Sequence, residues 1–264
     1  MRLLTLARDL QRRKARERQG LFVAEGIRTV EELLAAPLRP RGAVVSDALD
    51  ATPRGVALRE RIAAAGIPLL EVTARDFATA ADTDAPQGVL MVAEQPVLAL
   101  DALRERLPAS DVRLLVLDGV QDPGNVGTIL RSAAGLGAAA VVALPGTVDL
   151  WSAKVVRSAM GAQFRLSTVG DTVEALDAFL AAERIVLWGA DGAGAPVGAL
   201  ASTAPDRLAV AVGNEGAGLS AALRGRAAGL VAVPSTGLVE SLNVAVAASI
   251  LLYELRPASL RRPA

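Results

Sequence analysis

Apolar residues recur along this chain in short runs, and stretches with helical spacing separate them. In the first third, the apolar runs predict strands at residues 21–24, 42–46, 69–72 and 88–93. Helical spacing predicts helices at residues 1–18, 26–36 and 56–65, and Gly66 followed by Ile67-Pro68 is a stop signal for the last of them. Such alternation predicts a small α/β domain.

The pattern changes near residue 97 and then resumes. A charged stretch that ends at Pro108-Ala109-Ser110-Asp111 is typical of a linker. Beyond it, strands are predicted at 113–118, 138–144, 184–189, 208–212 and 230–233, and helices at 125–136 and 242–255. We therefore predict a first domain at 1–97, a linker at 98–111 and a second domain at 112–264. The second domain is expected to be α/β, with a mostly parallel sheet and helices on both faces.

Composition restricts the chemistry available to the chain. Its 264 residues include no histidine and no cysteine, which excludes disulfides, a thiolate nucleophile and zinc sites built on those residues. The usual near-neutral acid–base group is also absent. Hydrophobic residues make up 52%, enough for a sizeable core. No apolar run approaches the length of a membrane span and the N-terminus is polar and basic, so we expect a cytoplasmic protein.

Positive charge is concentrated at the N-terminus, although the formal net charge is zero. Residues 1–18 contain seven Arg or Lys side chains against Asp9 and Glu17. This segment fits a phosphate-binding face and equally fits the solvated side of an amphipathic helix. The aromatic content of 3% argues against base stacking as the main way of binding a nucleic acid.

Four segments could carry chemistry. They are Asp122-Pro123-Gly124-Asn125-Val126-Gly127 with Arg131 beyond it, the basic helix 154–162, the glycine-rich loop 213–219, and the Pro/Gly loop 233–243. Each also has a purely structural interpretation, as a turn, a solvated helix face or a helix cap. The glycine-rich loop matches neither the dinucleotide fingerprint nor the P-loop pattern.

The order of these segments resembles the SpoU (TrmH) family of S-adenosylmethionine-dependent RNA 2′-O-methyltransferases, of the SPOUT class. The residues that carry the resemblance are Asp122 to Gly127 with Arg131, Gly213 to Leu219, Val233-Pro234, and Ser241-Leu242-Asn243. Residues 154–162 resemble the family's middle motif. Upstream, Arg16, residues 21–26 and Gln87-Gly88-Val89 resemble the small RNA-binding α/β domain, related to some ribosomal proteins, that precedes many such methylases.

The resemblance implies a fold and an assembly that composition does not suggest. It implies a trefoil knot, in which the C-terminal segment threads a loop, and a homodimer whose interface includes the apolar C-terminal helix. It implies S-adenosylmethionine as cofactor and no metal. The positions expected to line the cofactor are Ala190, Gly213, Val233 and Leu242.

The resemblance also implies roles for individual residues. Arg131 matches the family's main catalytic residue. Because a guanidinium rarely gives up its proton, we expect Arg131 to hold an RNA phosphate and stabilise an alkoxide rather than act as a base. The residues expected to orient the substrate or the loops are Asn125, Glu215, Ser241 and Asn243. The residues expected to contact RNA are Arg12, Arg13, Lys14, Arg16, Lys154 and Arg157.

These motifs leave three functions to compare. The first is an RNA 2′-O-methyltransferase, with ribosomal RNA (23S) favoured over tRNA because a separate N-terminal domain is more typical of enzymes acting on large ribosomal RNA. The second is a non-catalytic RNA-binding or ribosome-assembly protein that retains the fold; the intact Asn125, Arg131, Glu215 and Asn243 argue against it. The third is a nicotinamide-dependent dehydrogenase, which the missing dinucleotide fingerprint argues against.

Overall fold

The structure, a computed structural model, describes residues 2–96 and 98–260. The described residues do not include Met1, Val97 or residues 261–264. The first residue of the predicted helix 1–18 and the last residues of the predicted domains 1–97 and 112–264 therefore lie outside the described residues. The helices are α1 (Arg2–Asp9), α2 (Arg13–Gln19), α3 (Ile27–Leu34), α4 (Pro53–Ala64), α5 (Ala74–Ala78), α6 (Leu100–Leu103), α7 (Pro123–Gly135), α8 (Ala153–Ala159), α9 (Val173–Ala182), α10 (Val197–Thr203), α11 (Ala221–Arg224) and α12 (Val244–Glu254). The strands are β1 (Leu21–Glu25), β2 (Pro40–Val45), β3 (Leu69–Glu71), β4 (Val89–Glu94), β5 (Val112–Asp118), β6 (Ala140–Ala143), β7 (Ser167–Gly170), β8 (Val186–Pro196), β9 (Arg207–Gly213) and β10 (Gly229–Ala232).

The described chain divides into two compact units. The first unit combines residues 2–96 with residues 149–165, and the second combines residues 98–148 with residues 166–260. In the part of the chain that the structure describes, no helix has the length and apolar character needed to cross a bilayer.

The first unit is built on a mixed sheet with the strand order β1-β4-β2-β3. Strand β4 pairs antiparallel with β1 and β2, and β2 pairs parallel with β3. Leu4, Ala7 and Leu10 of the N-terminal segment pack into the core together with Phe77 and Leu90. The sheet therefore buries one face under the first helix of the chain.

The N-terminal segment differs from the prediction of one helix over residues 1–18. It forms two helices, because Arg16 folds back and donates from Nη1 to the carbonyl oxygens of Leu10 (2.7 Å) and Gln11 (2.8 Å). Those two carbonyls lie at the end of α1, where they lack helical partners. The Arg16 side chain therefore stabilises the turn between α1 and α2.

Residues 149–165 belong to the first unit although they lie far from it in sequence. The ring of Phe22 contacts the rings of Trp151 and Phe164, with centroid separations of 4.7 and 5.6 Å. The Arg16 guanidinium also forms an ion pair of 2.5 Å with Asp149. Both side chains of this pair are largely buried, so the segment is tied to the unit by apolar and charged contacts.

The second unit contains a sheet of strand order β10-β8-β9-β5-β6-β7, and each of its strand pairings is parallel. Strand β5 is central, and all seven of its residues are buried. The predicted mostly parallel sheet is confirmed. Because the strands are parallel, their carboxyl ends lie along one edge of the sheet, where open α/β sheets bind ligands.

The segment predicted as a linker contains packed structure. Residues 100–103 form α6, and both Leu100 and Leu103 are buried in the core of the second unit. Charge and proline content predict an open connection, but these two leucines supply an apolar face at helical spacing.

Candidate active site

The backbone of the loop between β5 and α7 is hydrogen bonded at several positions. Asp122 is the N-cap of α7, and its Oδ1 accepts from the amide of Asn125 at 2.7 Å. Pro123 occupies the first helical turn, where its missing N–H costs nothing. The helix therefore begins at residue 123, earlier than the predicted 125, and Asn125 lies in its first turn.

Gly119 is the pivot of this loop. Its φ of 73° is in the left-handed region, which glycine adopts without strain. Its amide donates to Thr147 Oγ1 at 3.1 Å, and its carbonyl accepts from Asn214 Nδ2 at 2.9 Å. Both polar groups of this peptide position are thus fastened to other segments of the second unit.

The Glu215 carboxylate contacts the same loop. It accepts from the amides of Gln121 and Asp122, each at 3.3 Å, and from Asn125 Nδ2 at 3.1 Å. Burial by itself raises the pKa of Glu215, but the hydrogen bond from Asn125 and the backbone amides outweigh it, so the net pKa is lowered. A carboxylate with three donors and a lowered pKa is a poor proton acceptor, and its arrangement suits a structural anchor.

Asn243 extends the network to the last helix. Its Nδ2 donates to Asn125 Oδ1 at 3.0 Å, while its Oδ1 accepts from the amides of Ala245 and Val246 at the start of α12. The chain Asn243–Asn125–Glu215 therefore joins three segments that are far apart in sequence. Three of the residues predicted to orient substrate or loops lie together.

Arg131 lies two turns along α7 and is exposed. Its side chain makes no hydrogen bond or ion pair with any other residue that the structure describes. The neighbouring Ser132 is hydrogen bonded to Ser249 of α12, oxygen to oxygen, at 2.7 Å. The helix is thus fixed against α12, and the Arg131 guanidinium is left free to bind an anionic group.

Three of the four predicted cofactor positions lie in or directly after three neighbouring strands, and the fourth lies before the last helix. Ala190 lies in β8, Gly213 ends β9, Val233 follows β10, and Leu242 precedes α12; each is half-buried. The β8–β10 register jumps from Gly189–Leu230 to Ala195–Val231, which leaves residues 190–194 outside the regular ladder. Ala190, Gly213 and Val233 thus present small or apolar side chains and backbone groups in or directly after the strands.

Asp191 fixes the shape of this excursion. Its Oδ1 accepts from the Ala193 amide at 2.9 Å and its Oδ2 pairs with Arg224. The backbone hydrogen bond from Ala193, followed by the Arg224 contact, lowers the pKa of Asp191. Ser241, in contrast, is exposed and has no hydrogen bond to another described residue.

The six residues predicted to contact RNA all lie in the first unit. Arg12 and Arg13 are exposed and pair with Asp9 and Glu17. The remaining exposed cations of this set, which have no partner among the described residues, are Lys14 and Lys154.

Two of the predicted RNA contacts have internal partners instead. Arg16 is only 4% exposed and holds Asp149. Arg157 donates to Asp82 at 2.9 Å and lies 3.9 Å from the buried Glu25. The structure thus gives both arginines a packing role in the first unit.

Three residues that organise the site are not among those predicted from the sequence. Asn214 and Thr147 hold Gly119, and Asp118 Oδ2 accepts from the Ser220 amide at 2.7 Å. Asn214 was visible inside the glycine-rich segment, but only the fold reveals its partner. Among residues 2–96 and 98–260, no group of three aspartate or glutamate side chains, the metal-binding types present in this chain, lies close enough to hold a metal ion.

The profile of the SpoU rRNA methylase family matches residues 113–253, and that of the MRM3-like substrate binding domain matches residues 5–91. The chain belongs to the SpoU rRNA methylase family. The predicted family and the predicted α/β fold with an N-terminal substrate-binding domain are therefore confirmed.

Individual relatives agree with this assignment. The chain is 34% identical over 253 residues to the 23S rRNA (guanosine(2553)-2'-O)-methyltransferase RlmP of Bacillus subtilis. This match covers 94% of each protein. It is 38% identical over 179 residues to the 23S rRNA (uridine(2479)-2'-O)-methyltransferase of Streptomyces viridochromogenes, covering 65% of this chain and 60% of the relative. An AdoMet-bound rRNA methyltransferase from Sinorhizobium meliloti superposes with a TM-score of 0.82 at 28% identity, covering 96% of this chain and 93% of that one.

Proposed function

We propose that this protein transfers a methyl group from S-adenosylmethionine to the 2′-hydroxyl of a ribose in large-subunit ribosomal RNA. Membership of the SpoU rRNA methylase family makes it an RNA methyltransferase. The observation that carries the proposal is the Asn243–Asn125–Glu215 network beside an unpaired Arg131, at the ligand-binding edge of a parallel sheet.

The residues at the predicted cofactor positions fit S-adenosylmethionine. Ala190, Gly213, Val233 and Leu242 offer half-buried small and apolar surface together with backbone groups, which suits an adenine and a ribose. When bound, the cofactor supplies an electrophilic methyl group on a sulfonium. The held conformations of loops 119–122 and 190–194 would keep these positions in place before the cofactor arrives.

The side chains of the site have separate proposed roles. Arg131 would bind a phosphate next to the target ribose and stabilise negative charge on the 2′-oxygen, since a free guanidinium forms strong, geometrically specific contacts with phosphate oxygens. Asn125 and Asn243 would orient the ribose, and Glu215 would keep Asn125 in position. The hydrogen bonds to the Glu215 carboxylate lower its pKa and so weaken it as a base, and the proposal therefore gives the proton to another group or to water.

The first unit is the proposed RNA-binding part. Arg12, Arg13, Lys14 and Lys154 are exposed there, and the excess of basic residues over acidic ones in residues 1–18 favours contacts with phosphates. Arg16 and Arg157 would act by holding the segment that carries Lys154. The two relatives methylate the ribose of different nucleosides, a guanosine and a uridine.

The proposal includes a homodimer, a trefoil knot and a cytoplasmic location. Helix α12 buries Ala248 and Leu251 but leaves Val246 49% exposed and Tyr253 52% exposed. Covering this apolar face with the same helix of a second copy would remove it from water, as an isologous interface does. The knot is expected from the family resemblance, with the C-terminal segment threading a loop of the second unit.

Methyl transfer from labelled cofactor tests the proposal. The full-length protein is incubated with tritiated S-adenosylmethionine and transcripts of 23S rRNA, 16S rRNA or tRNA, and cofactor binding is measured separately by calorimetry. We expect cofactor binding and label in 23S rRNA alone. RNA binding without cofactor binding would instead support a non-catalytic RNA-binding protein, and label only in tRNA would refute the substrate assignment.

A further inference from the structure

We infer that Asn214 is a positioning residue for methyl transfer, because it fastens the loop before α7 to the turn that carries Glu215. The inference rests on the proposed function and extends it to a residue outside the set predicted from the sequence. Asn214 contacts neither Arg131 nor Asn243 by hydrogen bond, so any role in the reaction must pass through its neighbours.

The Asn214 side chain uses both ends of its amide. Its Nδ2 donates to the Gly119 carbonyl at 2.9 Å, and its Oδ1 accepts from the amides of Gly216 at 2.9 Å and Ala217 at 3.0 Å. Its backbone exchanges two hydrogen bonds of 2.9 Å with Gly218. Asn214 thus closes the turn around Glu215 and joins that turn to the pivot of the neighbouring loop.

This link explains how Glu215 reaches its partners. The carboxylate meets the amides of Gln121 and Asp122 at 3.3 Å, longer than the Asn214 contact with Gly119. Longer hydrogen bonds are weaker and fix a geometry less well. The shorter Asn214–Gly119 bond therefore sets the relative position of the two loops, and the Glu215 bonds depend on it.

Gly119 is suited to such a link because it is held on both sides. Thr147 Oγ1 accepts from its amide and also donates to the Leu117 carbonyl at 2.9 Å. Loss of the Asn214 bond would leave the Gly119 carbonyl without this partner, and loop 119–122 could then shift relative to Glu215. A shift of about 1 Å at a site that orients a reacting group can cost on the order of a hundredfold in rate.

Two substitutions separate the functions of the amide. Asn214→Ala removes the link and the turn contacts together. Asn214→Asp keeps an acceptor for the Gly216 and Ala217 amides but replaces the donor to Gly119 with an oxygen. The matched control is Thr172→Ala, which removes a side-chain acceptor for the Ala175 amide at the start of α9, away from this loop.

Kinetics in two backgrounds distinguish positioning from general stability. We expect both Asn214 variants to lower kcat about tenfold to a hundredfold, with the Thr172 control unchanged. In a Glu215→Gln background, the added Asn214→Ala substitution should change kcat by no more than about twofold, because residues acting as one unit are not additive. Equal fold losses in both backgrounds would overturn the inference.

Amide hydrogen exchange tests the same link without catalysis. Residues 119–122 should exchange at least about tenfold faster in Asn214→Asp than in the wild type, while the Thr172 control stays unchanged there. Unchanged exchange in this loop, or faster exchange with full kcat, would overturn the positioning role. If the wild type methylates no RNA, the proposed function fails, and the exchange measurement still decides whether Asn214 holds the loop.

Discussion

Replacement of Arg131 by alanine should separate catalysis from folding. The Arg131 side chain is exposed and has no hydrogen bond or ion pair within the described chain, so its removal leaves no buried group without a partner. Such surface substitutions change the free energy of unfolding by no more than about 0.5 kcal/mol. Loss of one donor to a developing oxyanion costs about 2.7–4 kcal/mol, which corresponds to a kcat about a hundredfold to a thousandfold lower.

The assay is steady-state transfer of tritiated methyl to RNA, with urea unfolding measured on the same preparations. Arg131→Lys keeps the charge but loses the forked geometry, so its kcat should fall between those of wild type and Arg131→Ala. Arg106→Ala is the matched control, since Arg106 is also an exposed arginine of the second unit without a partner in the described residues. Wild-type kcat in Arg131→Ala, or an equal loss in Arg106→Ala, would refute the assigned role.

Three further substitutions test the contacts that hold the fold. Arg16→Ala leaves Asp149 unpaired in a largely buried site and should lower the free energy of unfolding by about 3–5 kcal/mol, measured by urea titration. Asn243→Ala removes the cap of α12 and should cost about 1 kcal/mol, with faster amide exchange at Ala245 and Val246 as the check. Glu25 is 2% exposed, and burial raises its pKa above the ordinary 4.5. Its ionisation therefore lowers the stability of the wild type as pH rises through that raised pKa. The Tm of Glu25→Gln minus the Tm of the wild type should increase between pH 4 and pH 8. A difference in Tm that does not change with pH would contradict this.

The strands and first helix of the second unit could be predicted because their signals are local. An apolar run predicts the buried strand β5, and the Asp122-Pro123 pair combines an N-cap with a favoured first helical residue. The order of the strands in the sheet could not be predicted, because β5 pairs with β9 and β8 pairs with β10 across long separations in sequence.

Other features depend on contacts that a sequence pattern does not contain. The break between α1 and α2 follows from the partners of Arg16, which include Asp149, and helical spacing alone predicts one continuous helix. Residues 149–165 carry an ordinary amphipathic pattern, and it is their contacts with Phe22 and Arg16 that assign them to the first unit. Long-range packing thus decides both cases.

The candidate site shows the same division. Family resemblance singled out Asn125, Glu215 and Asn243, and the structure joins them by hydrogen bonds. The family resemblance could not single out Thr147, which lies outside every motif and accepts a hydrogen bond from the Gly119 amide. Contacts of a side chain with a distant backbone leave little trace in the residue pattern.

The position of the transferred methyl group tests the central claim most directly. RNA methylated by the purified protein is digested to nucleosides, and the products are identified by mass spectrometry against standards methylated on the ribose and on the base. We predict a single 2′-O-methylnucleoside from 23S rRNA, with its phosphodiester bond resistant to alkali. A base-methylated nucleoside, or no methylated product despite bound cofactor, would contradict the account.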